Sequence, residues 1–320
     1  LNPNDIESIE VLKDRLRTEG HLHPQGTPRT RQGLTCPSEY FFQASCPSGQ
    51  EAFSLWKVNM PEIILGDLEL HYTEAGHGSP LLLLHGSFST GADAFGEILP
   101  LLAAHCHVLC PDMRGHGATR AAPYGWTVPQ LARDMLAFLD ALGISRSSVA
   151  GHSMGGDVAM YMAVLSHCRV EKLVSIGSAG IPGPSVSRFV QRFSPEAHPE
   201  KAFPRFVQAI KEKHMPAHGG DWRTFARTTI ENCCLYPQFS EDDFRSLDMP
   251  FLLLCGSRDR LTPPEDREKL QSLCPRFTQH AVPGAGHAPQ CGATMPYTAG
   301  VLLDFLGNGR LAEKHGLHAE

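Results

Sequence analysis

From residue 81 onward, short apolar runs alternate with longer helical patterns, and this alternation limits the possible folds more than any other feature of the chain. Stretches such as Leu81–Leu84 and Phe251–Leu254 are continuously apolar. That is the pattern of strands covered on both faces by helices in a parallel sheet. Strand-like runs lie at 52–58, 62–65, 68–74, 81–85, 107–111, 147–151, 172–177, 250–255 and 277–282. The clearest helix is predicted over 128–142, with Thr127 and Gln130 as a capping box and Gly143 as a stop. Leu131, Met135, Leu136 and Leu139 form its apolar face. A second helix follows Ser153, with Val158, Tyr161, Met162 and Leu165 on one stripe. The expectation is an α/β fold: a mostly parallel, twisted sheet flanked by helices.

One stretch breaks the alternation. Residues 182–247 have Pro/Gly-rich edges and helical patterns near 199–214 and 221–234. Lying between two late core strands, they read as a helical lid over the carboxyl edge of the sheet, where ligands bind in such folds. The core is then 51–181 together with 248–320. Residues 1–50 read as an N-terminal extension, a short helix followed by irregular chain.

Composition excludes several classes of function. Lys and Arg number 28 against 34 Asp and Glu, a net charge of −6, which argues against a nucleic-acid partner. No apolar run approaches the roughly 20 residues of a membrane span. The ten cysteines form no repeated Cys-x-x-Cys pair, so neither a structural zinc site nor a disulfide framework is expected. Residues 1–50 contain no apolar core of a secretory signal, and the expected setting is cytoplasmic, with a small-molecule substrate as partner.

The chemistry centres on Gly151-His152-Ser153-Met154-Gly155, a G-x-S-x-G run with a strand before it and a helix after it. That context is required of a nucleophile elbow, where a sharp turn lifts the serine hydroxyl to the top of the sheet. The alternative is a Gly-rich turn with an inert serine. Serine needs a base, and the base needs an orienting group. His287 follows the last strand and opens on the same edge as Ser153, whereas a bland loop histidine is the competing reading. Asp259 directly follows the strand at 250–255 and completes the chain order Ser, acid, His. Its flanking Arg258 and Arg260 allow a surface ion pair instead. His152 lies too near the elbow to serve as base, and Asp248 precedes its strand.

An oxyanion needs prepositioned donors. The backbone N–H of Met154 is one candidate, and that of Ser87 is the other, with Phe88 as the close alternative. A plain strand-ending turn at His85-Gly86 is the competing account. Phe88, Phe189, Phe206, Trp222 and Phe225 are candidate substrate contacts, although aromatic residues at helical spacing also serve simple packing.

Taken together, these blocks resemble the α/β-hydrolase superfamily, in particular the group holding esterases, haloperoxidase-like perhydrolases, enol-lactonases and C–C bond hydrolases. The resemblance spans about 60–310. It rests on Leu83-Leu84-His85-Gly86, Asp112-Met113-Arg114-Gly115-His116-Gly117, Gly151-His152-Ser153-Met154-Gly155-Gly156, Gly256-Ser257-Arg258-Asp259 and Gly284-Ala285-Gly286-His287. It implies that Asp112, Arg114 and His116 are structural. Serine rather than aspartate at 153 argues against haloalkane dehalogenases and epoxide hydrolases. His85-Gly86-Ser87-Phe88-Ser89 lacks the Gly-Gly-Pro-Gly run of proline iminopeptidases and the Gly-Pro-Gly run of many C–C hydrolases. The implied function is hydrolysis of a carboxylic ester or lactone of a small, partly apolar substrate through an acyl-enzyme, with no cofactor and no metal. C–C bond hydrolysis or acyl transfer on the same triad, or a non-catalytic small-ligand receptor, are the alternatives.

Overall fold

The computed structural model describes residues 60–121, 125–183, 187–188, 191–218 and 221–307. The extension at 1–50 and the strand expected at 52–58 lie outside the described residues. Among those described, nine strands form one sheet in the order β1-β2-β4-β3-β6-β7-β8-β9, with β5 paired to β2. The strands are β1 (Glu62–Leu65), β2 (Leu68–Ala75), β3 (Pro80–Leu84), β4 (His107–Pro111), β5 (Arg120–Ala121), β6 (Ser147–His152), β7 (Val170–Ile176), β8 (Phe251–Gly256) and β9 (Phe277–Val282). Pairing from β4 through β3 to β9 is parallel, while β2 pairs antiparallel with β1, β4 and β5.

The central strands carry the apolar runs because both of their faces are covered. Leu81–Leu84 are at most 1% exposed, and burial of one such side chain stabilises by about 1.5–3 kcal/mol. Helices α1 (Gly91–Phe95), α2 (Leu99–Ala103) and α10 (Met295–Leu306) cover one face. Helices α3 (Val128–Ala141) and α4 (Met154–Leu165) cover the other, joined by α9 (Pro264–Leu273). Between β7 and β8 the chain leaves the sheet for α5 (Pro199–Ala202), α6 (Pro204–His218), α7 (Trp222–Leu235) and α8 (Glu241–Arg245). No helix of the described residues is long and apolar enough to cross a membrane.

Local signals were followed with one exception. Thr127 caps α3, its hydroxyl accepting the Gln130 N–H at 3.2 Å, but the Gln130 side chain does not close the expected capping box. Its Nε2 donates to Asp134 at 2.9 Å and its Oε1 accepts the Arg133 guanidinium at 3.2 Å, so a charged donor takes the oxygen that the Thr127 N–H would need. The reciprocal box forms at α8, between Ser240 and Asp243.

The Asp112–Gly117 block is a structural knot. Asp112 accepts the N–H groups of Gly91 (2.9 Å) and Ala118 (3.0 Å). Arg114 reaches Asp134 through Nε (2.7 Å) and Asp67 through Nη1 (2.7 Å). The side chains of Arg114 and Asp134 are 8% and 7% exposed, so truncating the guanidinium strands a buried carboxylate. Arg114→Ala is expected to destabilise the fold by about 3–5 kcal/mol. The check is a lowered urea midpoint with an unchanged slope.

Candidate active site

The strand order places the site. The chain runs from β3 to β4 on one side, then returns through β6 on the other side of β3. Loops leaving β3 and β6 therefore diverge, and a crevice opens at their carboxyl ends. His85–Phe88 follows β3, and Ser153 follows β6.

Ser153 sits between the end of β6 and the start of α4 with φ 53° and ψ −121°. This conformation is unfavourable for a residue bearing a Cβ and costs on the order of 1–3 kcal/mol. The flanking glycines make the turn feasible. A Cβ on Gly151 would overlap the Gly155 carbonyl, and one on Gly155 would overlap the carbonyls of Leu84 and His85. Both ends of the G-x-S-x-G run are thus fixed by backbone packed against backbone. The Ser153 N–H donates to the Ile176 carbonyl at 2.8 Å, tying the turn to β7.

His287 arrives on the loop after β9. Its Nδ1 lies 3.0 Å from Asp259 Oδ2, and a Nδ1–H donated to the carboxylate leaves the Nε2 lone pair for another proton. Asp259 follows β8, and its side chain is 1% exposed. It also accepts the Leu261 N–H (2.9 Å) and the Thr262 hydroxyl (3.3 Å). Burial by itself would raise the carboxyl, but these donors and the His287 imidazole outweigh it, and the group is held below its ordinary value.

Two other histidines have defined places. His152 Nε2 lies 3.0 Å from the His287 carbonyl oxygen, donating its N–H there. Burial, then the neighbouring His287, push its pKa down to about 3, so it is neutral. His85 donates from Nδ1 to the Gly86 carbonyl (2.8 Å), and its Nε2 accepts the Met113 N–H (3.0 Å). Both nitrogens of His85 are thus engaged, which leaves that ring none free to act as a base.

Ser153, His287, Met154, Ser87 and Phe88 line one cavity of about 300 Å³. Met154 is the first residue of α4, where N–H groups have no intrahelical acceptor. Among the described residues no acceptor meets the N–H of Ser87 or Phe88. Phe88 has φ 58°, so the loop after β3 is strained as well. The Ser87 hydroxyl lies 3.1 Å from Cys233 Sγ.

Of the aromatic candidates, Phe88 and Phe206 line this cavity, and Phe189 lies outside the described residues. Trp222 and Phe225, expected as substrate contacts, are not among the described residues that line the cavity. Trp222 is 5% exposed and packs with Val207, Ile210 and Ala226, with the cations of Lys211 and Arg223 over its ring. Phe225 stacks on His214 at 4.4 Å and borders a separate cavity of about 160 Å³ beside Arg114. The first turns of α7 pack these apolar side chains against α6, since two amphipathic helices bury much of their apolar area against each other. Phe193, Tyr236, Cys233 and Asp157 line the Ser153 cavity without having been expected there. Only Asp157 carried a readable signal, because it stands one helical turn beyond Ser153 on the same face. Burial pushes its carboxyl up to about 7, against the Ser178 hydroxyl that donates to Oδ1.

Known proteins bear on this arrangement. The sequence model of the alpha/beta hydrolase family matches residues 81–290. A 2-hydroxy-6-oxo-6-(2'-aminophenyl)hexa-2,4-dienoic acid hydrolase of Metapseudomonas resinovorans is 36% identical over 36% of this chain and 41% of its own length. This chain thus spans about two fifths of that relative. Esterase YbfF of Escherichia coli strain K12 is 26% identical over 66% of this chain and 87% of its own. The solved structure of a 2-hydroxy-6-oxo-6-phenylhexa-2,4-dienoate hydrolase from Rhodococcus sp. strain RHA1 superposes with a TM-score of 0.67. It is 20% identical and covers 79% of this chain and 99% of its own, a likeness of fold.

Proposed function

The chain belongs to the alpha/beta hydrolase family, and we propose that it is a serine hydrolase cleaving a carboxylic ester or lactone of a small, partly apolar substrate. The observation that carries this reading is a single cavity lined both by a strained Ser153 and by a His287 whose Nδ1 is engaged by Asp259, itself buried at its side chain.

In this mechanism His287 Nε2 takes the proton of Ser153 Oγ as the oxygen attacks the substrate carbonyl. Asp259 holds the ring in the required tautomer and stabilises the imidazolium. The N–H groups of Met154 and Ser87 receive the oxyanion, each worth about 2.7–4 kcal/mol of barrier in sites of this kind. The imidazolium then protonates the leaving alcohol, and the acyl group stays on Ser153. Water gives a proton to the same nitrogen, attacks the acyl carbon, and releases the acid with the proton returned to Ser153. Helices α6 and α7 act as the lid, and Phe88, Phe193 and Phe206 supply an apolar wall.

Hydrolysis of a C–C bond is the second reading, favoured by relatives that are hydrolases of dienoic acids. Against it, the described lining of the cavity contains no Lys or Arg to receive a carboxylate. Product analysis on matched aryl esters, lactones and a dienoic keto acid separates the two. We expect a burst of aryl alcohol followed by slower turnover, with the keto acid intact. Cleavage of the keto acid with no ester turnover would reverse the assignment.

A further inference from the structure

Among the described residues Asp157 is the one carboxylate on the wall of the Ser153 cavity, and the mechanism above gives it no task. It stands on α4 one turn past the nucleophile. Its Oδ1 accepts the Ser178 hydroxyl at 2.5 Å. Ser178 Oγ in turn accepts the Gly180 N–H at 3.2 Å, and its backbone carbonyl receives the Ser175 hydroxyl. Ser178 is therefore committed as a donor toward Asp157, and one carboxyl oxygen is held in place. The second oxygen meets no partner among the described residues. No Lys or Arg stands among the described lining residues to neutralise it. The titratable groups that act on it or respond to it are His287 on the loop after β9, Cys233 on α7 and Tyr161 on α4 itself.

We propose that Asp157 is the specificity-determining residue of this cavity: it admits substrates with an uncharged hydrogen-bond acceptor in the acyl group and rejects those with a carboxylate. The assignment rests on the ester-hydrolase reading and names its substrate class. A carboxyl enclosed without a counter-cation keeps its proton more readily than one in water. In that form it donates from the free oxygen to an amide, ketone or ether oxygen of the substrate. A substrate carboxylate would lose its hydration there, meet no cation, and force either its own protonation or a like-charge contact. The Phe88, Phe193 and Phe206 rings compensate neither charge state of an acid.

The same group makes selectivity depend on pH. Its carboxyl lies near 7, raised above the usual value, so the donating acid form prevails below that point and the carboxylate above it. Preference for the acceptor-bearing substrate over a plain alkyl one is then largest on the acid side and declines through neutrality. Asparagine at 157 keeps an N–H donor and cannot ionise.

The test uses nitrophenyl esters of acyl chains matched in length and ending in methyl, carboxamide, carboxylate or ammonium. They are compared as ratios of kcat/KM, which do not depend on the fraction of active protein. Wild type is expected to prefer the carboxamide to the carboxylate by about 100-fold or more at pH 8, the equivalent of two pKa units of differential interaction. In Asp157→Asn that ratio falls by at least about 10-fold, and the carboxamide-to-methyl ratio loses its pH dependence. In Asp157→Leu the carboxamide loses its advantage over methyl. A ratio near one in wild type, a ratio unchanged in Asp157→Asn, or first rank for the ammonium ester on the acid side of neutrality, where Asp157 keeps its proton, would overturn the proposal. Should no ester be turned over, the ester-hydrolase reading fails separately. The matching amide and free acid, added to the wild-type protein in thermal unfolding, then still decide charge preference. Stabilisation by the acid equal to that by the amide would overturn the proposal on its own.

Discussion

Ser153→Ala is expected to lower kcat by about 10⁶-fold on any ester the protein turns over, while leaving the fold intact. The size follows from what is removed: without Oγ there is no acyl-enzyme, and His287 has no proton to take. Groups that act as one unit lose nearly all of their joint effect with the first member, leaving about 10³–10⁴-fold over water from the oxyanion donors and binding. The substitution removes one oxygen from a turn whose shape is set by the backbone contacts of Gly151 and Gly155. Thermal unfolding of the variant should therefore match wild type or rise slightly. Steady-state hydrolysis with purified variant checks the prediction, and residual activity within about tenfold of wild type would rule out Ser153 as nucleophile.

Asp259→Asn is expected to cost about 10⁴-fold in kcat. The side chain keeps its shape and can still accept the Leu261 N–H. It cannot offer His287 Nδ1 a full negative charge, and the amide nitrogen in that place would hold the ring in the wrong tautomer. Because the folded carboxyl lies below its ordinary value, Asp259 is ionised throughout the neutral range, and the loss should not vary with pH there. The sign for stability is the same as for any depressed carboxyl. The pair stabilises the fold above the unfolded value of about 4 and ceases to do so as pH falls through the lower folded one. A tenfold or smaller effect in kcat would mean that the 3.0 Å contact is an ordinary ion pair.

The parts of the fold that were legible in the sequence are those decided by periodicity and by glycine. The runs at Leu81–Leu84 and Phe251–Leu254 read as buried parallel strands because they are too short for a helix and need cover on both faces. Ser153 was readable because its glycines mark places where two backbones touch, a requirement that no side chain can meet. His287 and Asp259, 28 residues apart in the chain, come within hydrogen-bond distance because β8 and β9 are parallel neighbours. Gly256 helps at the β8 end, since a Cβ there would strike the Gly286 and Ala285 carbonyls.

Other features left weak traces or none. Strand β5 has two residues, and helices α1 and α2 have five each, too few for any period to show. Gln130 satisfied the capping pattern, but its side-chain oxygen is taken by the Arg133 guanidinium three residues on. Trp222 and Phe225 lay at the right spacing to face a ligand, yet spacing cannot say whether an amphipathic face turns to a cavity or to another helix. Asp157 was accessible to reasoning, since residues four apart on a helix share a face. Its significance depends on the missing counter-cation, which is a property of the assembled cavity. Tyr236 and Phe193 reach that cavity from separate segments between β7 and β8, where only tertiary packing decides position.

The central claim is that Ser153 is an activated nucleophile because His287 and Asp259 stand behind it. Treating the protein with an aryl fluorophosphonate and mapping the adduct by peptide mass tests this directly. The account predicts one phosphonyl group per chain, on Ser153, with labelling abolished in His287→Ala and strongly slowed in Asp259→Asn. A phosphonyl group on another residue, or labelling of Ser153 at an undiminished rate without His287, would contradict it.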